Sequence, residues 1–591
     1  MVLSGILLAL APPALRGQDV VASRPAAAVD SLLVRSDAES AQARFERDRR
    51  RLVPRAPSGS WAGSCDEIVG RMCMRFEGGS DWWPTPESPE LTEARRGLLQ
   101  RLAGLAELLP GDSWILGQRI RYLIEAGSAG EARALAISCG LPEGWWCDAL
   151  AGLAAHVQSD FPEAERSFDR ALAAMPDSVR TDWEDIEWLM DADGRDLLDD
   201  EDADPERIAD RFWRWSDPLF LIEGNDFRTE MLARRAVNRI SRDSRNGYSM
   251  PWGSDLEELL VRYGWEIGWE VTNPRASGQI GATPSAVGHQ HPESRDYSAP
   301  GAALQAVTST EPGQWNPRAG GRTTTGYAPI YAPVVAPARV EILRFPRGRE
   351  TVLIALVEME PDTSYHRSHG HEPLAMPKAF ADRPAQRGLF LVSQDQESPR
   401  RVIESGGSGA LMLTVPAGEY VLGAEVWYPD SARAGRYRTG IDLPGLAPDV
   451  AATSDLVLTD AMAPEPTDLA DLAVTLNFGP FRAGEDFRVV WEITGIGLSA
   501  ETLDYQLRLQ KTEGGLLSRI GGFLGLGGPP RPVELAWTEL SPDALVPNLR
   551  WVRLVLPPDI KPGEYRIQLQ LRTVGRAPLL MERLIEVLPA R

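Results

Sequence analysis

Five of the six histidines lie in two clusters, His289 with His291, and His366 with His369 and His371. Imidazoles at such short spacings can bind a transition metal and would then support metal-assisted hydrolysis. Both clusters, however, lie in sequence rich in Pro and Gly, without a matched carboxylate. We therefore interpret them as solvated loop histidines and expect no metal site and no cofactor. A metal-dependent hydrolase that uses these histidines is the alternative interpretation.

The four cysteines fall into two pairs, with seven residues between Cys65 and Cys73 and seven between Cys139 and Cys147. An even number at equal spacing favours two local disulfides, which form in an oxidising compartment. Zinc binding is the competing interpretation, but no C-x2-C pair is present. We therefore predict the disulfides Cys65–Cys73 and Cys139–Cys147.

The first residues of the sequence also indicate export. An apolar run over residues 2–11 is followed by small residues and proline, which is typical of a secretory signal peptide cleaved near residue 17. No other stretch approaches the roughly 18 apolar residues of a membrane-spanning helix. We expect a periplasmic or extracellular protein without a transmembrane segment.

Composition narrows the range of partners. The chain has 591 residues, of which 43% are hydrophobic, and a net charge of −22. This length predicts about three to four domains with substantial cores. Such an acidic chain repels nucleic acid and anionic lipid, so neither is an expected general partner.

Two short amphipathic helices joined by a tight turn are predicted over residues 145–176, and a second such pair is predicted over residues 113–144. Helical hairpins of this length bury their apolar faces by stacking on a neighbour, and they present surfaces to partners. The segment resembles a tetratricopeptide repeat at its small and aromatic positions, although the first-helix Trp and Tyr of that family are not matched. The matching residues are Gly152, Ala164, Phe168, Ala171 and Pro176. The resemblance implies a protein-interaction module.

Residues 212–270 form a second recognisable block, which ends MPWGSDLEELLVRYGWEIGWE. It resembles the GWxTD domain of secreted bacterial proteins, whose function is not established, although Pro251 replaces the first Gly of the signature. The matching residues are Trp252, Ser254 and Asp255 in the signature, Arg262, Tyr263 and Gly264 after it, and Asp217-Pro218 and Asn225 to Glu230 before it. The resemblance implies no catalytic residue.

A Trp, a hydroxyl and a carboxylate within four residues suit the start of a helix. Ser254 or Asp255 can there accept hydrogen bonds from free backbone N–H groups. Trp252, Ser254 and Asp255 are equally the candidates for an interaction with a ligand or partner, and both interpretations stay open at this point.

From residue 340 onward, short alternating or apolar runs predict antiparallel strands. The sequences Pro416-Ala-Gly-Glu-Tyr420 and Pro562-Gly-Glu-Tyr565 each lead into a strand whose tyrosine should pack inward. Two successive β-sandwiches are the simplest interpretation. An insert at residues 514–530 carries six large apolar side chains among glycines, including Phe523 and Leu524. It should either fold onto the last sandwich or contact a partner or a membrane surface.

The predicted fold class is multidomain α+β, with N-terminal α-helical hairpin repeats followed by two antiparallel β-sandwich domains. The expected segments are a signal peptide (1–17), an irregular region (18–88), tetratricopeptide-like repeats (89–206), a GWxTD-like helical segment (207–271), a Pro/Gly-rich linker (272–336) and β-sandwiches at 337–462 and 463–591. We expect an exported, non-enzymatic envelope protein with protein partners and, at most, peripheral membrane contact. The candidate interaction residues are Trp252, Ser254, Asp255, Phe523 and Leu524.

Overall fold

The computed structural model describes residues 30–55, 67–74, 85–271, 286–319, 323–359, 377–394, 399–406, 408–496, 500–512, 533–541 and 547–590. Helices dominate its N-terminal part and strands its C-terminal part, so the protein is of the α+β class. Within these residues no helix is long and apolar enough to cross a membrane. The predicted features that lie outside the described residues are the signal peptide, Cys65, His366, His369, His371, Phe523 and Leu524.

The described helices are α1 (Ser31–Leu52), α2 (Pro89–Leu108), α3 (Ser113–Glu125), α4 (Ala129–Ile137), α5 (Gly144–Val157), α6 (Phe161–Ala174), α7 (Asp177–Glu184), α8 (Ala192–Leu198), α9 (Pro205–Ser216), α10 (Asp226–Arg242), α11 (Ser254–Tyr263), α12 (Gly301–Gln305), α13 (Lys378–Ala381) and α14 (Leu469–Val474).

Helix α1 shows that the prediction of an irregular region at residues 18–88 was wrong for its central part. The buried side chains of α1 recur at helical spacing, but they include Gln42, Glu46 and Arg49 beside the apolar ones. Glu46 and Arg49 are buried as an ion pair of 3.1 Å. Because charged residues occupy part of the buried stripe, the apolar period that marks a helix is weak in this sequence.

The pairs α3–α4 and α5–α6 form the two helical hairpins that the sequence indicates. The close approach of α6 to α5 requires a residue without a side chain, because a Cβ atom on Gly152 would lie 2.9 Å from the ring of Phe168. A disulfide joins Cys139, just after α4, to Cys147 in the first turn of α5. Cys73 is also disulfide-bonded.

The described strands are β1 (Glu67–Val69), β2 (Met72–Met74), β3 (Gly268–Val271), β4 (Ala286–His289), β5 (Arg295–Asp296), β6 (Arg318–Ala319), β7 (Val334–Arg347), β8 (Glu350–Met359), β9 (Gln386–Ser393), β10 (Arg400–Ser405), β11 (Ala410–Pro416), β12 (Gly418–Tyr428), β13 (Arg433–Leu443), β14 (Ala452–Thr453), β15 (Val457–Asp460), β16 (Phe481–Arg482), β17 (Asp486–Thr494), β18 (Thr502–Lys511), β19 (Val533–Leu540), β20 (Asn548–Val555), β21 (Gly563–Thr573) and β22 (Leu579–Leu588).

Strands β7 to β13, which we call the first β region, form one sheet in the order β10-β9-β12-β13-β7-β8-β11. Strands β14 to β22, the C-terminal β region, form two sheets: β17 pairs with β14, β15 and β20, and the other sheet has the order β16-β22-β21-β18-β19. Pairing in these sheets is antiparallel except for β13 with β7 and β16 with β22. One core of the C-terminal β region contains side chains from both of its sheets, for example Trp491 and Tyr505.

The alternation of side chains along β12 explains how the helices and the first β region form one body. Leu422 and Val426 pack among the strands of the first β region. Val421 and Trp427, on the opposite face, pack in a core that also contains Trp215 of α9. Both faces of the sheet are therefore covered at β12.

The predicted linker at residues 272–336 is folded at 286–319 and 323–336. Its apolar residues stand singly among Pro and Gly, so they give no period in the sequence, yet Tyr297, Trp315 and Tyr331 are buried between the helices and the first β region. The rest of the predicted linker lies outside the described residues.

Two further predictions about the β regions were wrong in detail. Strands β14 and β15 pair with β17, so the chain joins the C-terminal β region before the predicted boundary at residue 462. The apolar run at residues 472–476 is one of the runs after residue 340 that predict strands, but α14 covers Leu469–Val474. The helix is favoured because the Asp468 side chain accepts a hydrogen bond from the backbone N–H of Asp471 at 2.8 Å.

Candidate functional site

Helix α10 buries a row of polar side chains along one face. Its N-cap is Asn225, whose Oδ1 accepts a hydrogen bond from the backbone N–H of Arg228 at 2.9 Å. Asp226, Glu230 and Arg234 follow at four-residue spacing, so they lie on one face, and each is at most 5% exposed. Charges buried this deeply require partners, and neighbouring elements supply them.

His156, at the end of α5, bridges Glu230 and its neighbour Thr229 on α10. Its Nε2 lies 2.7 Å from Oε2 of Glu230, and its Nδ1 lies 2.9 Å from Oγ1 of Thr229. Nε of Arg234 donates to the other Glu230 oxygen at 2.7 Å. Burial alone would raise the pKa of Glu230, but Arg234 and His156 bring it down to about 2. Glu230 is therefore an ionised, fully paired carboxylate.

Arg234 also joins α10 to two other backbone segments, the end of α11 and the segment that carries Gly326. Its Nη1 donates to the carbonyl oxygens of Val261 and Arg262, both at 2.9 Å, and its Nη2 donates to that of Gly326 at 2.6 Å. Gly264 has a φ of +90°, and a Cβ atom there would lie 3.0 Å from Nη2 of Arg234. A glycine after α11 is thus required both by the backbone conformation and by the buried guanidinium.

Asp226, one turn before Glu230 on α10, has a raised pKa, in contrast to Glu230. Its Oδ2 accepts a hydrogen bond from the Tyr327 hydroxyl at 2.8 Å. Burial raises the pKa of Asp226 to about 7, although that hydrogen bond acts in the opposite direction. Burial and the neighbouring Asp226 also raise the pKa of Asp217 well above its usual range. An ionised Asp226 thus disfavours ionisation of Asp217.

The residues that match the GWxTD signature bind other parts of the chain. Trp252 donates from Nε1 to Oδ1 of Asn238 at 2.8 Å. The carboxylate of Asp255 accepts from Nη2 of Arg71 at 2.7 Å and from the backbone N–H of Arg71 at 3.2 Å. The Arg71 hydrogen bond holds the pKa of Asp255 at about 2. Ser254, the first residue of α11, is exposed.

The helix-start interpretation of this signature was correct only in part. Gly253, not Ser254 or Asp255, is the N-cap of α11. Asp255 does accept a backbone hydrogen bond within α11, from Leu256 at 2.9 Å, but its main partner is Arg71 in the turn between β1 and β2. A Cβ atom on Gly70 in that turn would lie 2.5 Å from Cβ of Asp255.

Arg262 and Tyr263, which follow the signature, extend the same junction. Nη1 of Arg262 donates to Oε1 of Glu67 at 2.8 Å, and its Nε donates to the carbonyl oxygen of Thr324 at 2.9 Å. The Tyr263 hydroxyl donates to the other oxygen of Glu67 and lies 3.1 Å from the carbonyl oxygen of Thr323. The β1–β2 hairpin is thereby held against α11.

A buried ion pair connects the segment between α9 and α10 to the first β region. Glu425 of β12 and Arg438 of β13 are 3.0 Å apart, and both side chains are 0% exposed. Glu425 accepts from the backbone N–H of Leu221 at 3.0 Å, and Arg438 donates to the carbonyl oxygen of Trp215 at 2.8 Å. The pair therefore binds the segment between α9 and α10 to the sheet.

A cavity of about 180 Å³ lies beside His156 and Glu230, and His291 and Ser294 also line it. The interpretation of His289 and His291 as solvated loop histidines was wrong, because His289 is buried in β4 and His291 is half-buried in the turn after it. Burial lowers the pKa of both imidazoles to about 4. In the part of the chain that is described, no group of three or more His, Cys, Asp and Glu side chains is placed to hold a metal ion.

The arrangement of this site favours structural over acid–base chemistry. His156 lies between Thr229 and Glu230 as a base lies between a nucleophile and the carboxylate that orients it. However, Thr229 is 0% exposed and its hydroxyl donates to the carbonyl oxygen of Asp226 at 3.2 Å, so that hydroxyl is not accessible to a substrate. Asp226 and Glu230 were predicted only as matches to a family, and His156, Arg71 and Tyr327 were not predicted from the sequence. Polar residues at four-residue spacing along α10 are the signal that would have indicated the buried row.

No protein-family model matches the chain, and no curated protein matches its sequence. Among solved structures, a variant of Salmonella alpha-2-macroglobulin has a TM-score of 0.14 and 15% identity, covering 43% of this chain and 16% of that chain. Escherichia coli alpha-2-macroglobulin activated by porcine elastase has a TM-score of 0.14 and 14% identity, covering 46% of this chain and 23% of that chain. Red sea bream transglutaminase has a TM-score of 0.14 and 8% identity, covering 43% and 32%. The chain thus spans less than one third of each of these proteins, and similarity at this TM-score supports no conclusion about fold or function.

Proposed function

We propose that the protein is an exported, non-enzymatic envelope protein that presents surfaces to protein partners. The observation that carries this proposal is the internal pairing of the polar residues on and around α10. A nucleophile must be accessible to its substrate, but Thr229, the hydroxyl that His156 could activate, is 0% exposed and donates to the carbonyl oxygen of Asp226 at 3.2 Å. Glu230, Arg234 and Asp255 are bonded to other parts of the same chain. These residues stabilise junctions among the helices, the β1–β2 hairpin and the segment that carries Gly326.

Export is supported by the disulfide between Cys139 and Cys147. Disulfides persist in oxidising compartments and are rare in the cytosol of mesophiles. Together with the apolar run at the start of the sequence, this bond favours a periplasmic or extracellular location.

We further propose that the helices form tetratricopeptide-like repeats and a GWxTD-like segment, followed by two β-sandwiches. The hairpins α3–α4 and α5–α6 support the first assignment. The sandwich assignment is supported by a feature that both β regions share. The Tyr420 hydroxyl donates to the carbonyl oxygen of Pro416 at 3.1 Å, and the Tyr565 hydroxyl donates to that of Lys561 at 2.8 Å. Tyrosine corners of this kind are a hallmark of immunoglobulin-like sandwiches.

The C-terminal β region is the proposed interaction surface. Among the described residues, β19 and β20 each pair with a neighbour on one side only, so each presents an open edge. Leu540 of β19 and Trp551 and Val555 of β20 are exposed there. Open edges accept an extended segment of a partner through backbone hydrogen bonds, and exposed apolar side chains add affinity.

Capture of partners from the native envelope by the exported protein tests this proposal. The variant Trp551→Ser/Val555→Lys should lose the partner, whereas Val574→Ser, which changes an exposed valine in the turn between β21 and β22, should keep it. Equal capture by both variants would contradict the proposed surface. Stoichiometric transition metal in the purified protein would contradict the non-enzymatic assignment and favour the histidine hydrolase.

A further inference from the structure

The open edges of β19 and β20 lie next to each other on one side of the C-terminal β region. In the part of the chain that the structure describes, β19 ends one sheet and β20 ends the other. Nε of Arg550 on β20 lies 3.1 Å from Oε1 of Glu539 on β19. The ring of Trp537 on β19 lies 6.1 Å from that of Trp491 on β17, the strand with which β20 pairs. The two edges therefore form one side of the region.

Strands β19 and β20 run in opposite directions along this side. Glu539 lies near the end of β19 and Arg550 near the start of β20, so the chain turns back between them. A two-fold axis parallel to the strands would place β20 of a second copy beside β19 of the first, and β19 of the second beside β20 of the first. Both new pairings would be antiparallel, and both sheets would continue from one copy into the other.

The charges of the two strands favour this arrangement over the pairing of like strands. Strand β19 carries Glu534 and Glu539 and no basic residue. Strand β20 carries Arg550 and Arg553 and no acidic residue. Pairing of β19 with β19 would oppose carboxylates, and pairing of β20 with β20 would oppose guanidinium groups, which destabilises a sheet. Pairing of β19 with β20 brings opposite charges together.

The ion pair between Glu539 and Arg550 sets the register of the two copies. A two-fold axis parallel to the strands keeps every residue at its own level along the axis. Because Glu539 and Arg550 are level within one chain, Arg550 of the second copy comes level with Glu539 of the first. Each of the four charges around the axis then lies between two opposite charges, which makes the contact specific.

Glu534 and Arg553 have partners within their own chain, but these ion pairs are exposed. Glu534 pairs with Arg508, with both side chains 46% exposed. Arg553 pairs with Asp486 and is itself 57% exposed. Exposed pairs of this kind contribute little to stability, so they do not prevent new contacts across an interface.

Exposed apolar side chains of the two edges meet in this register. Leu540 of β19 is 71% exposed and Trp551 of β20 is 40% exposed. Each of them follows a residue of the Glu539–Arg550 pair, so both lie on the outward face of the sheet. Leu540 then lies diagonally across from Trp551 of the second copy, a separation that aromatic side chains span. The dimer therefore buries apolar surface that a single chain leaves in water.

We propose that β19 and β20 bind a second copy of this chain and form a two-fold symmetric dimer. Both sheets of the C-terminal β region continue across the interface. This inference rests on the proposed function, because it names the partner of the surface assigned there. The dimer is closed, since pairing uses both open edges of each copy and leaves none for a third.

Sedimentation of the purified full chain over a series of concentrations tests this proposal. The wild type should sediment as a dimer that dissociates on dilution. Arg550→Glu brings like charges together at the axis and should raise the dimer Kd at least about tenfold. The charge swap Glu539→Arg/Arg550→Glu keeps opposite charges together, both within the chain and across the axis. It should dimerise as the wild type does.

A mixture of the wild type and the charge swap separates contact across the axis from the ion pair within one chain. In a mixed dimer like charges would face each other across the axis, so mixed dimers should be at least about tenfold rarer than the two homodimers. Capture of an untagged copy by a tagged one measures mixing. The control swap Arg566→Glu/Glu582→Arg reverses an exposed pair of 3.5 Å on β21 and β22, away from the open edges, and should mix freely with the wild type.

Three results would overturn the inference. They are a monomer at every concentration up to the solubility limit, an unchanged Kd in Arg550→Glu, and free mixing of the charge swap with the wild type. If Arg550→Glu fails to fold, the charge swap decides the question. A monomer that captures a different envelope protein through Trp551 and Val555 would refute the second copy and leave the proposed function standing. A monomer that captures nothing would refute both.

Discussion

The two β regions of this protein begin one of their central strands in the same way but differ in what covers them. In each, a tyrosine two residues after a glycine turns its ring into the core and donates its hydroxyl to a carbonyl oxygen four residues earlier. Gly418 and Gly563, which precede the two tyrosines, both have a positive φ, of 154° and 139°. The local sequence therefore produces the same local structure twice.

The outer faces of the two regions differ. Arg438 and Glu425 on the first β region are buried under the helical part of the chain. On strands β18 and β19 of the C-terminal β region, by contrast, outward polar residues remain in solvent: Arg508 of β18 and Glu534 of β19 form an ion pair of 3.1 Å with both side chains 46% exposed. An arginine–glutamate pair is thus an interior junction in one region and a surface pair in the other.

This difference shows that the role of a sheet face depends on whether other parts of the chain cover it. A covered face requires each charge to be paired, because the cost of an unpaired buried charge is several kcal/mol. An uncovered face tolerates polar substitutions and remains available to partners. The comparison therefore predicts large stability effects in the first β region and binding effects in the C-terminal one.

The largest expected effect comes from the buried pair. Arg438→Met leaves Glu425 buried without its partner and should lower the free energy of unfolding by about 3–5 kcal/mol. Arg508→Met, the matched control on the exposed face, should change it by about 0.5 kcal/mol or less. Urea unfolding followed by tryptophan fluorescence measures both values. Similar losses in the two variants would mean that the two faces are equally covered.

The next effect concerns Asp226, which lies among Asp217, His156, Tyr327 and Tyr331. Its pKa rises from an unfolded value of 3.8 to about 7 on folding, so the folded protein holds this proton more tightly. The resulting stabilisation is present below the unfolded pKa and is lost as the pH rises toward about 7, by up to about 1.4 kcal/mol per pH unit. Asp217 contributes with the same sign.

Asp226→Asn should therefore reduce the loss of stability between pH 4 and pH 7, because an amide accepts the Tyr327 hydrogen bond without ionising. At pH 8 the variant should be more stable than the wild type. Chemical unfolding at a series of pH values checks this, and a variant with the wild-type pH dependence would show that another group is responsible.

The insert at residues 514–530 allows a further test of what covers the C-terminal β region. Leu535 pairs with Leu507 and faces the core, yet 38% of it is exposed to solvent in the described residues. We expect the insert to cover this area, so Phe523→Ser/Leu524→Ser should lower the melting temperature by several degrees. Unchanged melting together with lost partner or membrane capture would assign the insert to docking instead.

The smallest effect should be equal in the two regions. Tyr420→Phe and Tyr565→Phe each remove one hydroxyl and its hydrogen bond to the preceding backbone, and each should cost about 1 kcal/mol. Thermal unfolding of both variants measures the difference between them. A clearly larger cost for one tyrosine would mean that the two corners are not equivalent.

Predictions from the sequence succeeded where short-range pattern decides the structure. The hairpins α3–α4 and α5–α6 follow from apolar residues at helical spacing, and the inward tyrosines follow from the turns before them. The prediction of an irregular region failed at α1, because Glu46 and Arg49 occupy buried positions. The prediction of a linker failed because Tyr297 and Trp315 stand singly in the sequence, so no hydrophobic period indicates that they are buried.

The sequence by itself determined the α+β order of the elements, the acidic character and the spacing that lets Cys139 reach Cys147. Each of these depends on residues close together in the chain. Only the tertiary structure decided that His156 meets Glu230 and that Arg438 meets the segment after α9. Such partners lie far apart in the chain, and burial selects them because a charge removed from water is stable only beside a group that compensates it.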